Sequence, residues 1–223
     1  MHRGLILYSV IFLSLACAGT KASAQGWYEE ENKVTFRGGL IGGLNFTQVD
    51  GDSYSGYHKV GINAGPTVYV HFTKMFGVSL EMLFSQKGSR SATVTESPYV
   101  GTYIQQYTMK LNYVEIPLLL HLVDRRLDFE AGGSWARIIS TKEYAIADYP
   151  VIIDPVLNRF NTQDIEWIVG GSVKLNKHWY ANARYQYSFI AIRPEDRVPV
   201  GFNYGSKGQF NNLCVLRLEY YIN

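Results

Sequence analysis

Paired cysteines, long apolar runs and charge of one sign are all missing from most of this 223-residue chain. Its 2 cysteines are Cys17 and Cys214. Cys17 lies in an N-terminal apolar stretch, so neither an intramolecular disulfide nor a thiolate metal site is expected. The one long apolar run, Leu5 to Ala16, is shorter than the roughly 20 residues a spanning helix needs. Basic and acidic residues number 21 and 19, without a basic stripe or a polybasic run, which argues against nucleic acid as a partner. The histidines are scattered singly, and no carboxylate-rich loop has calcium-site spacing, so no metal or cofactor is expected.

The N-terminus carries Arg3, then the apolar run, then Ala22-Ser23-Ala24 before Gln25. This reads as a secretory signal peptide over residues 1–24. Leu15-Ala16-Cys17 also looks like part of a lipoprotein processing site, although Ser14 stands where an aliphatic residue is wanted. Both readings export the chain. Cleavage after Ala24 removes Arg3 and Lys21 and leaves 19 basic against 19 acidic residues.

What is present is alternation. Period-two runs predict strands near 34–47, 58–72, 76–90, 103–122, 127–140, 162–175, 179–192 and 209–223. The gaps at 73–75, 123–126 and 176–178 are tight turns, whereas those at 48–57, 91–102, 141–161 and 193–208 are long. An even strand number with one short-turn end and one long-loop end predicts an all-β fold: an eight-stranded antiparallel up-and-down transmembrane β-barrel, with periplasmic turns and extracellular loops. Without a membrane helix, a closed sheet is the other way to satisfy the backbone in lipid. Residues 34–223 would form the barrel, and the polar segment 25–33 a periplasmic lead-in. The location implied is the outer membrane of a Gram-negative bacterium, with outer-membrane lipids as neighbours.

One face of each strand is apolar, as in Val78, Leu80, Met82 and Phe84, or Val114, Ile116, Leu118, Leu120 and Leu122. The opposite face is Gly, Ser, Asn, Thr and Tyr with isolated charges, which suits the crowded interior of a small barrel better than a water-facing surface. Aromatics gather at the strand ends: Phe46, Phe84, Trp167 and Phe189 toward the long loops, and Phe36, Phe72, Phe76, Phe129, Trp179 and Tyr220 toward the short turns. Bilayer interfaces favour such girdles. Inward charges then fall in two walls, Glu81, Glu115 and Glu130 against Arg184, Arg217 and Arg37, with Glu219 near the end of the last strand. Cross-lumen ion pairs with Arg as partner are expected, filling a bore already wide enough only for side chains or one small ligand.

Leu111-Asn112-Tyr113-Val114-Glu115-Ile116-Pro117-Leu118-Leu119-Leu120 resembles the fourth-strand motif of the PorT-like outer-membrane β-barrel proteins. Gly43-Leu44-Asn45, Gly61-Ile62-Asn63-Ala64-Gly65 and Glu81-Met82-Leu83-Phe84-Ser85-Gln86-Lys87-Gly88 resemble its other recurrent segments, as do Ala131-Gly132-Gly133 and Arg184-Tyr185. The resemblance implies an eight-stranded barrel of a group mostly without assigned activity, whose named member assists assembly of a secretion and gliding apparatus. Pro117, which lacks a ladder donor, is expected either at a bulge aiming Glu115 inward or at a tolerated irregularity near a turn.

A non-enzymatic structural or interaction protein of the envelope is the leading expectation, with secretion or envelope-complex proteins meeting its outer loops. The loop 141–161 is unusually apolar, and Tyr144, Tyr149, Ile152 and Ile153 in it are candidate partner contacts. Packing over the barrel mouth or prolonging the strands above the membrane is the favoured reading of the loop, since an exposed apolar patch requires a partner to be tolerated. The alternatives are a small barrel enzyme, lipid-modifying or proteolytic, and a barrel for a hydrophobic ligand. An enzyme needs a nucleophile, a base and an orienting group in reach, and no Ser, His and acid set converges by spacing.

Overall fold

The computed structural model describes residues 35–52, 54–91, 95–97, 102–147, 153–199 and 207–222. The expected leader with Cys17, the lead-in, Tyr149 and Ile152 lie outside them. The alternating segments form β1 (Thr35–Asp50), β2 (Lys59–His71), β3 (Phe76–Glu81), β4 (Leu83–Arg90), β5 (Thr95–Ser97), β6 (Thr102–Asp124), β7 (Leu127–Ala147), β8 (Gln163–Lys174), β9 (Trp179–Ser188) and β10 (Phe210–Ile222). All pairings are antiparallel, and β1 pairs with both β2 and β10, so the sheet closes on itself. β3 and β4 share one place between β2 and β6, while β5 adds only to β6. The ring therefore has eight places, and the fold is an all-β, eight-stranded antiparallel barrel.

The short turns are fixed by their own residues. Thr73 Oγ1 accepts from the backbone N–H of Met75 and Phe76 at 3.2 and 2.9 Å, and Asn176 Oδ1 accepts from those of His178 and Trp179 at 2.9 and 3.0 Å. Arg125, in the β6–β7 turn, takes a positive φ of 54°, as a two-residue hairpin turn requires.

Prolines, not a bulge, explain the split of the third predicted strand. The β2 and β6 registers place Pro66 opposite Met82 and Pro117 opposite Glu81. Each lacks an N–H, so the ladder lapses between β3 and β4 without a change of register. Pro117 itself pairs in sequence with Ser134, and the register shifts of β6 against β7 lie at Ile104/Gln106 and Asn112/Tyr113 instead. Of the two readings left open for Pro117, the bulge is therefore set aside, and the irregularity is a lapse in one ladder.

β6 shows where the membrane sits. From Val114 to Leu122 its outward residues are Val114, Ile116, Leu118, Leu120 and Leu122, whereas its outward residues above are Thr108, Lys110 and Asn112. Eight steps of about 3.4 Å, tilted by about 40°, give an apolar band roughly 21 Å tall, close to the roughly 25 Å band of outer-membrane barrels. Leu118 and Leu120 are exposed, and so are Phe36, Phe72, Phe76, Phe129 and Trp179 near the short turns. Above Asn112 the inward residues Tyr107, Met109 and Leu111 are fully buried, as is Tyr113 just below it. They pack with Val49, Ala136, Ile192 and Val198 into an apolar core. The wall is inside-out within the bilayer and outside-in above it.

The segment Thr141–Ala147 prolongs β7 beside β6, so this part of the third long loop is strand. Residues 189–192, expected at the end of the seventh strand, lie past β9, which stops at Ser188.

Candidate functional site

Lumen-facing positions at every second residue put the polar side chains into stacked layers. In the middle layer Arg217 makes two parallel bonds to Glu81, Nη1 to Oε2 and Nη2 to Oε1, both at 2.8 Å. Arg184 Nη1 donates to the same Oε2 at 3.0 Å. Arg217 Nη2 also lies 2.9 Å from Glu219 and 3.6 Å from Glu130, and its Nε donates to Asn182 Oδ1 at 2.9 Å. Glu130 in turn accepts from Asn182 Nδ2 at 3.0 Å. All six of these side chains are buried. Forked, delocalised guanidinium groups suit such shared carboxylates.

Glu115 departs from the expected arrangement. Its partner is a lysine, Lys87, which is held between Glu115 and Glu166, the latter 2.5 Å away, and stands over the Tyr113 ring. Nearby, Asp164 accepts from Ser188 Oγ and Asn211 Nδ2, both at 2.9 Å. The spacing already held this lysine: Glu81, Ser85 and Lys87 share one face of the third strand. Arg37 departs too, for it stands half-buried at the lower mouth, and among the described residues no ion pair joins it to Glu81, Glu115 or Glu130. Of the two opposed walls, Glu81 and Glu130 meet Arg184 and Arg217 across the lumen, while the places given to Glu115 and Arg37 are corrected: Glu115 belongs to a separate lysine layer and Arg37 to the lower mouth.

Beneath the arginine layer, three residues do converge that sequence spacing did not bring together. Ser79 Oγ lies 2.8 Å from His121 Nε2, and His121 Nδ1 lies 3.0 Å from Asp128 Oδ1. Tyr69 donates to the other Asp128 oxygen at 3.3 Å, and its ring packs on those of His71 and His121. The cavity below, about 240 Å³, is lined by Asp128 and Tyr69. The row therefore meets the cavity at its carboxylate, while Ser79 is the deep, packed end. A nucleophile must face its substrate, and this order places the orienting acid there instead.

At the upper end Arg193 is bound through both terminal guanidinium nitrogens, Nη1 and Nη2, to Glu143 and stacked on Phe160 at 3.7 Å. Tyr107 donates to the same Glu143 at 2.5 Å. Asp52 is tucked under the first long loop, where Tyr54 N–H donates to it at 2.9 Å and burial pushes its carboxyl up to about 7. Of the candidate partner residues, Tyr144 is exposed beside a cleft with His58 and Lys59. Ile153 lines another cleft with Pro155 and Phe160.

A closed eight-stranded wall, apolar outside and charged within, defines a small outer-membrane barrel protein. Residues 24–193 match the family described as "Outer membrane protein beta-barrel domain", and the chain belongs to that family of the Gram-negative outer membrane. Similar solved structures include Ail, the attachment invasion locus protein of Yersinia pestis, at 12% identity and a TM-score of 0.45, covering 86% of this chain and 99% of that one. Neisserial surface protein A aligns at 6% identity and a TM-score of 0.41, over 84% of this chain and 98% of its own. OprG of Pseudomonas aeruginosa aligns at 11% and 0.38, over 86% and 97%. No functionally curated protein matches the sequence.

Proposed function

We propose that this barrel is a closed, non-catalytic structural or interaction component of the outer membrane that presents its extracellular storey to other envelope proteins. The observation that carries the reading is the occupied lumen: the Arg217–Arg184–Glu81 layer and the Lys87–Glu115–Glu166 layer lie across the bore, below the apolar core around Tyr107 and Met109. Opening such a lumen would strand several charges at once, each costly to leave unpaired. The back-to-front order of Ser79, His121 and Asp128 supports the non-catalytic part. The prolonged β6–β7 ribbon, with Tyr144 exposed on it, supports a role for the outer face. An envelope or secretion-complex protein, as the likeness to PorT-like barrels implies, is the partner class proposed.

The test is conductance of the refolded chain in a planar bilayer. A closed barrel gives only rare, small events, whereas stable, large steps in every insertion would overturn the reading. Breaking the middle layer with R217M is expected to raise the frequency of openings.

A further inference from the structure

Basic residues from four separate stretches of chain meet at the lower mouth. Arg37 near the start of β1, Lys74 in the β2–β3 turn, Arg125 and Arg126 in the β6–β7 turn, and Lys174 at the end of β8 line the 240 Å³ cavity, with His71 beside them. Two acids line it as well, and both are already engaged from behind. Asp128 is held by His121 and Tyr69, and Glu219 by Arg217 and Tyr221. Among the described residues Arg37, Arg125, Arg126 and Lys174 make no ion pair. Like charges gathered round a concave, low-dielectric mouth repel one another and focus a positive potential into it.

We propose that this mouth binds a phosphate group, held by Arg125, Arg126, Arg37 and Lys174. Arginine forks match phosphate oxygens two at a time, and several cations together match its charge. The cavity is smaller than the roughly 300 Å³ at which pockets for drug-sized ligands begin, so the occupant is a small phosphate or a headgroup and not a polymer. Phe72, Phe76, Phe129 and Trp179 stand exposed around the same end, which puts the mouth at headgroup depth. The phosphate can therefore come from the inner-leaflet lipid or from a small periplasmic solute.

Inorganic phosphate titrated into the full chain folded in a phosphate-free neutral detergent, followed by phosphorus NMR line broadening, tests this. Saturable binding is expected, weakened at least roughly tenfold in R125A/R126A, as the loss of one or two charge-assisted hydrogen bonds implies. K177A, a substitution in the neighbouring turn outside the cavity, should leave it unchanged, and heat-shifted electrophoretic mobility reports that each variant folds. In phosphatidylethanolamine vesicles a lipid occupant abolishes the response to inorganic phosphate and stays bound in native mass spectrometry of wild type but not of R125A/R126A. A solute occupant gives the same affinity in vesicles as in detergent. Binding that fails to saturate by about 10 mM, or that is equal in wild type and R125A/R126A, overturns the proposal.

Discussion

Arg217 bridges Glu81, Glu130 and Glu219 in the middle of the lumen, and room for it is made by a residue with no side chain. Gly43 lies opposite Arg217 in the β1–β10 ladder, and a Cβ there would come within 2.4 Å of Arg217 Cβ. Gly170 stands in the same relation to Arg184, again at 2.4 Å. Each arginine folds across a glycine to reach Glu81. Methionine at 217 keeps the apolar stem and removes the charge, leaving Glu130 and Glu219 without their arginine and Glu81 with Arg184 alone. R217M is expected to destabilise the barrel by about 3–5 kcal/mol in urea unfolding from lipid vesicles. The double variant R217M/E219Q should recover part of that loss, because one stranded charge is gone. A change below about 1 kcal/mol for R217M would mean that the layer is filled by hydration and not by the guanidinium.

β6 carries two environments on one continuous strand, and the boundary at Asn112 is testable there. L118R places a charge at mid-membrane on the lipid face and is expected to cost about 2–4 kcal/mol, whereas N112R, at the upper edge of the band, should cost about 0–1 kcal/mol. Equal losses in vesicle unfolding would move the membrane boundary. Much of this strand was legible in the sequence, because alternation from Val114 to Leu122 is uninterrupted and period two fixes which residues share a face. The exchange of faces is written only as two apolar neighbours, Tyr113 and Val114, where the apolar residues pass from odd to even positions, and period two on either side of that slip reads as one continuous strand. Partnerships across the lumen were less legible. They depend on strand shear, which sets the height of Lys87 relative to Glu115 and of Ser79 relative to His121, and shear is decided by closure of the whole ring. The lapse at Met82 was hidden for a similar reason, since its cause, Pro66 and Pro117, lies on the two neighbouring strands.

The molecule as a whole is two storeys on one wall: a membrane storey with charged layers inside and an extracellular storey with an apolar core. Each is held by different physics, so they should respond differently to pH. Asp52 joins the first long loop to the upper storey, and its environment includes Asp50, Ser89 and the backbone of Tyr54, whose ring stacks on Tyr107 at 5.0 Å. Burial is the main cause that raises its carboxyl from an ordinary 3.8 to about 7, against the opposing bonds from Ser89 and Tyr54. The folded loop therefore binds the proton more tightly than the unfolded one. Its contribution to stability is fully present below the ordinary value, shrinks as pH rises toward 7, and is lost above it, a change on the order of a few kcal/mol. Hydrogen exchange, corrected for the intrinsic rate, should show protection of the first long loop and of β6 above Asn112 falling between pH 5 and pH 8, with β6 below Val114 unchanged. D52N, which keeps the shape without the charge, should flatten that dependence. An equal loss in both halves of β6, or a pH dependence that survives D52N, would mean that the two storeys unfold as one and that Asp52 is not the latch between loop and core.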